Sequence, residues 1–108
     1  NDNIRDAWSP YGDGDMLARA AKVGERQGIL DDAGLEDLFA MATSLPAEVM
    51  ELEGRALTPG GRADLMLVRA ASVAEAVALH PPRALVIRAG QVVARDGMIE
   101  PDVAARLT

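Results

Sequence analysis

Two carboxylates, Asp2 and Asp6, lie four positions apart in a polar segment with Trp8 just beyond them, and all three precede an aliphatic stretch that opens at Met16. A carboxylate so placed can bind a hard or borderline cation, or take a proton from a water that such a cation holds. A neighbouring indole offers a face on which a planar ring can stack. Aromatics are scarce, with one Phe, one Trp and one Tyr in 108 residues, so the core must be built from Ala, Leu, Val and Met, and Trp8 stands out. On composition alone the blander reading leads: loop aspartates are usually solvated or cap a helix, and a lone Trp usually plugs a core.

Composition narrows the partners. The formal net charge is −6, and the 11 Lys and Arg residues are scattered singly from Arg5 to Arg106. Phosphate backbones need concentrated positive charge, so nucleic acid is excluded as a partner. Cysteine is absent, which removes disulfides and thiolate metal sites and makes a cytoplasmic location the natural expectation. A metal held here must use oxygen or nitrogen ligands. No apolar run approaches the roughly 20 residues that span a bilayer, so no membrane association is expected. The single histidine, His80, sits between a short helical pattern and two prolines and reads as structural or surface. Gly12-Asp13-Gly14 lacks the Gly-Lys-Ser/Thr of a phosphate loop, and no Glu falls at the twelfth position counted from Asp13, as a calcium loop requires. Arg62, Arg69, Arg83 and Arg88 fall near predicted strand ends and read as solvated edge charges.

The elements that must position these side chains follow from periodicity and punctuation. Residues 1–14, with Pro10, Gly12 and Gly14, read as a loop. From Asp15, Met16, Leu17, Ala20, Ala21, Val23 and Gly24 recur at helical spacing, with Asp13 or Asp15 as cap and Gly28 as stop. A second helix is expected over 32–43, a break over 44–46, and a short third helix with Pro46 in its first turn, ending at Gly54. Thr58-Pro59-Gly60-Gly61 is a turn, after which 64–68 reads as a strand. Ser72 with Glu75 marks a capped helix over 72–79, and His80-Pro81-Pro82 stops it. Residues 84–87 and 91–94 form a hairpin across Arg88-Ala89-Gly90, and 98–108 holds a last helical turn. Helices first and strands afterwards argue against an alternating doubly wound sheet. Three short strands make a poor independent sheet, so the strand half expects partners from elsewhere.

Asp2-Asn3-Ile4-Arg5-Asp6-Ala7-Trp8, with Tyr11-Gly12-Asp13-Gly14-Asp15-Met16-Leu17, resembles the segment that follows the last barrel strand in cytosine deaminase and related metal-dependent amidohydrolases. Thr43-Ser44-Leu45-Pro46-Ala47, then Leu57-Thr58-Pro59-Gly60-Gly61-Arg62-Ala63-Asp64-Leu65-Met66-Leu67, is similar to the ending of that superfamily, and Val86 to Val93 is similar to the hairpin that follows it. The likeness extends to about Gly97.

The resemblance implies an α/β fold: the C-terminal end of a (β/α)₈ TIM barrel in residues 1–53, and C-terminal strands of a small composite β-sandwich domain in 54–108. It implies that Asp2, at the end of the eighth strand, reaches the metal and shuttles a proton, so that metal-activated hydroxide attacks a ring carbon bearing an exocyclic amine and releases ammonia. The metal would be divalent, Zn or Fe, completed by histidines outside this chain. Trp8 would close the pocket over the ring. Asn3 falls where the family often has Asp; its amide donates and accepts but cannot act as a base, which opens the substrate range from cytosine to other heterocyclic or amide compounds. The expected partners are that small molecule and the remainder of the enzyme, upstream of an Asn1 that is no initiator Met, with room for a homo-oligomer. The alternative is a freestanding, non-enzymatic assembly module, motivated by the missing histidines and the acidic balance.

Overall fold

The computed structural model describes residues 3–53 and 57–107. Helix α1 (Met16–Gln27) opens on Asp15, whose side chain accepts from the N–H groups of Leu17 and Ala18, and it stops at left-handed Gly28. Asp15 rather than Asp13 is therefore the cap; Asp13 instead accepts from the Asp15 N–H at 3.0 Å. Helix α2 (Asp32–Ala42) is capped by Asp31, which accepts from the Gly34 N–H at 2.8 Å.

Helix α3 (Ser44–Val49) begins earlier than expected. The chain turns at Thr43 alone, with φ −131° and ψ −85°, so no three-residue break intervenes. Pro46 is tolerated as its third residue because N–H groups in a first turn have no intrahelical acceptor to lose.

Strand β1 (Leu65–Val68) is followed by helix α4 (Val73–Leu79), then β2 (Arg83–Arg88), β3 (Gln91–Arg95), β4 (Met98–Ile99) and helix α5 (Pro101–Leu107). The four strands form one antiparallel sheet in the order β1-β2-β3-β4. Leu65 pairs with Ile87 and Val68 with Arg83, so β1 and β2 run antiparallel although α4 joins them. The β2–β3 turn takes positive φ at both Ala89 (50°) and Gly90 (79°), the twist that a two-residue hairpin needs. Strand β4 is an addition to the three expected. Asp96-Gly97 repeats the same positive-φ pair and folds Met98-Ile99 back onto β3, a two-residue strand too short to show alternation.

The core lies among the helices. Leu17 of α1, Leu38 of α2 and Val77 of α4 are buried together with Ala20, and Ile29, Leu35, Phe39 and Ala42 pack against them. Of the predicted α1 stripe, Leu17, Ala20, Ala21 and Gly24 are buried, while Met16 and Val23 sit at its exposed margin. Gly24 marks a close crossing, since a Cβ added there would stand 2.8 Å from Leu38 Cδ1. The Ser72–Glu75 cap forms as predicted: Ser72 Oγ accepts from the Glu75 N–H at 3.1 Å, and the Glu75 carboxylate reaches back to the Ala71 N–H. The sheet is left more open, with Met66, Leu67, Met98 and Ile99 all exposed.

Candidate active-site loop

The loop ahead of α1 is organised by one carboxylate. Asp6 Oδ1 accepts from the backbone N–H of Trp8 at 2.9 Å and of Ser9 at 3.0 Å, and its Oδ2 accepts from Asn3 Nδ2 at 2.7 Å. The Asp6 N–H closes the turn on the Ser9 carbonyl at 3.0 Å, and the Arg5 N–H reaches the Tyr11 carbonyl at 3.3 Å. Local sequence dictates this: an aspartate readily accepts from N–H groups two and three residues on, and Pro10 follows to limit the backbone. The Asn3 amide and the backbone donors favour the charged form of Asp6 and hold its pKa below the ordinary aspartate value. The turn leaves Trp8 86% exposed and Tyr11 74% exposed. Trp8 therefore takes no part in the core of the described residues, and its indole is uncovered.

The exit from the loop is tied to the sheet. Asp15, besides capping α1, forms an ion pair with Arg83 at the start of β2, and Arg83 also donates to the Pro81 carbonyl at 2.9 Å. The two side chains are 25% and 16% exposed, so Arg83 is not the solvated edge charge that its position in sequence implied. Burial pushes the Asp15 carboxyl up, but the Arg83 hydrogen bond and charge, with the Ala18 and Leu17 N–H groups, push it further down; the net effect is a lowered pKa.

Of the residues singled out in the sequence, Asn3 and Trp8 are brought together through Asp6, while Asp2 lies outside the described residues. His80 is exposed, with φ 34°, and ends α4 by donating its N–H to the Ala76 carbonyl at 2.9 Å, a structural role as expected. Among the described residues no group of three or more His, Cys, Asp or Glu is placed to hold a metal ion. Two residues with consequences for the site were read otherwise from sequence: Asp6, a candidate cation ligand there, is the loop's hub, and Arg83, a solvated edge charge there, is its anchor. The Asp-x-Trp-Ser-Pro order was a readable signal for the first. The second has none, because its partner is 68 positions away.

A concavity of about 850 Å³ lies between α2, α3 and β1 and is lined by Phe39, Ala47, Leu57, Met66 and Val73 among others. Its apolar lining is remote in character from the polar loop.

A polar loop with two exposed aromatics, capped into a helix, is thus followed by a small antiparallel sheet. The amidohydrolase family matches residues 1–94, and the chain belongs to that family. It is 32% identical over 100 residues to the N-isopropylammelide isopropyl amidohydrolase of Pseudomonas sp. (strain ADP), a match covering 92% of this chain and 25% of that protein. The crystal structure of N-isopropylammelide isopropylaminohydrolase from Burkholderia multivorans ATCC 17616 superposes with a TM-score of 0.85 at 40% identity, covering 90% of this chain and 25% of that one. The chain thus spans a quarter of the length of both relatives. No described helix is long and apolar enough to cross a membrane.

Proposed function

We propose that this chain is the C-terminal portion of a metal-dependent amidohydrolase that hydrolyses the bond between a heterocyclic ring carbon and an exocyclic nitrogen. The observation that carries the reading is the Asp6-centred loop, which holds Asn3 and an exposed Trp8 directly after Asp2, inside the stretch that matches the family. The relatives' names point to N-isopropylammelide, a nitrogen-rich ring bearing an alkylamino group, as a closer guide to the substrate than cytosine.

The family resemblance assigns Asp2 as the carboxylate that would reach a cation; Asp6, Asp13 and Asp15 are each engaged by backbone N–H groups of the loop and helix. The other ligands are histidines elsewhere in the protein. A divalent ion bound there would lower the pKa of its water to about 7, so that hydroxide is available at neutral pH. Asp2 accepts the proton as the oxygen adds to the ring carbon and returns it to the departing nitrogen, so the C–N bond breaks to a neutral amine. Trp8 stacks on the ring and excludes water from one face, and Asn3 fixes the ring's rotation by hydrogen bonding. In the whole protein this loop follows the eighth strand of a barrel whose C-terminal face holds the site, and the sheet joins a small β domain. A cytoplasmic location agrees with the absence of cysteine.

The test is Asp2→Asn in the full-length protein with N-isopropylammelide as substrate. The expected outcome is a loss of about 10²–10⁴-fold in kcat with an unchanged melting temperature. Retention of more than a few per cent of turnover would remove Asp2 from the mechanism.

A further inference from the structure

We infer that Asp6 is a positioning residue that decides which end of the Asn3 amide meets the substrate, so that the site offers a carbonyl acceptor and selects a ring carrying an N–H donor at that point. The inference rests on the assignment of Asn3 as a substrate contact. A primary amide carries a donor end and an acceptor end of nearly equal size, and only its neighbours determine which way it points. Here the neighbour is a carboxylate oxygen 2.7 Å away, which is acceptor-only when ionised, so the atom of Asn3 that faces it is nitrogen. Its carbonyl oxygen is thereby turned to the opposite side.

Asp6 cannot relax this demand by rotating. Its other oxygen is held by two backbone donors, Trp8 N–H and Ser9 N–H, whose positions follow from the turn itself. The carboxylate is thus clamped on one side by backbone and imposes polarity on the other. The lowered pKa agrees with a group that stays ionised across the neutral range. A ring nitrogen bearing hydrogen, or an exocyclic N–H, would be satisfied by Asn3; a ring carbonyl or bare ring nitrogen at the same point would face another acceptor, and two acceptors left unpaired in a closed site are costly.

Substitution can reverse the polarity without disturbing the turn. In Asp6→Asn the side-chain oxygen still accepts from Trp8 and Ser9, so the new amide directs its NH₂ at Asn3. Asn3 must then rotate to accept, and its own NH₂ turns towards the substrate. The double variant Asn3→Asp/Asp6→Asn restores the original sense, because a carboxylate at position 3 accepts from position 6 and offers its second oxygen to the ring.

The experiment uses the full-length protein and N-isopropylammelide, with KM, kcat and equilibrium affinity measured for wild type, Asp6→Asn, Asn3→Ala and the double variant. The expected result is a KM raised roughly 10- to 100-fold in Asp6→Asn with kcat altered less than about 3-fold, and a return to within about 5-fold of wild-type KM in the double variant. A KM raised in Asp6→Asn with no recovery in the double variant would confine Asp6 to holding the turn and overturn the orientation. An unchanged KM in Asp6→Asn beside a raised one in Asn3→Ala overturns the orientation and leaves Asn3 as a substrate contact. An unchanged KM in Asn3→Ala, or a wild-type protein that neither binds nor turns over N-isopropylammelide, overturns the functional reading and this inference with it.

Discussion

Asp15 and Arg83 meet across 68 positions of sequence, and the same Asp15 oxygen that receives the guanidinium also receives the Leu17 and Ala18 N–H groups at 2.9 and 3.2 Å. One atom therefore starts α1, ends the candidate active-site loop and ties both to the first residue of β2. A charge-assisted hydrogen bond in a partly buried position is stronger than an exposed pair, which makes this contact a mechanical link between loop and sheet.

Asp15→Ala removes cap and ion pair together and is expected to cost about 2 kcal/mol. The pH dependence has a definite sign. Because the folded pKa of Asp15 lies below its ordinary value, its contribution is complete above about pH 4 and is lost as pH falls through the lowered folded value. Asp15→Asn keeps a capping oxygen but cannot titrate, so urea midpoints measured from pH 7 down to pH 2 should fall less steeply in the acid range than those of wild type. Parallel curves for the two proteins would show that the pair contributes nothing.

Gly24 is fixed by packing. A Cβ at this position would lie 2.8 Å from Leu38 Cδ1, and Leu38 is only 4% exposed, so it has little room to yield. Gly24→Val should destabilise the protein by about 1–3 kcal/mol through overpacking, read as a lowered thermal midpoint. Gly24→Ala sets the same clash against the better helix propensity of alanine, worth about 1 kcal/mol, and should cost less.

Trp8 separates stability from activity. With 86% of its surface exposed, Trp8→Ala should change unfolding free energy by less than about 0.5 kcal/mol. On the proposed function it should raise KM for N-isopropylammelide about 10-fold or more, by loss of the stacking face. A variant that melts early, with kinetics otherwise intact, would identify Trp8 as a packing residue in the whole protein.

The 108 residues produced alone should hydrolyse nothing and should associate with themselves or with an apolar dye. Leu57, at 84% exposure, and Met66, at 39%, line an open apolar cleft of about 850 Å³, and the sheet carries Leu67, Met98 and Ile99 outward. Such surface is a liability in a soluble monomer. Sedimentation together with dye fluorescence would check this; a monodisperse, dye-silent monomer would favour the assembly-module alternative.

Local chemistry was legible in the residue order wherever cause and effect lie within a few positions. The stop at Gly28, the Ser72 cap of α4, the Ala89-Gly90 hairpin and the loop before α1 each depend on neighbours two to four residues apart, and each is found close to where it was expected. The motif around Asn3 to Leu17 likewise led to the amidohydrolase family. Strand β4 escaped because two residues carry no period, and the break before α3 was overdrawn because one residue, Thr43, does the work assigned to three. The partnership of Asp15 with Arg83 and the shared burial of Val77 with Leu17 and Leu38 arise only when α4 and β2 return across the N-terminal helices. Side chains that pair at such separations leave no periodic trace in the chain, since the forces that join them act through space that folding alone creates.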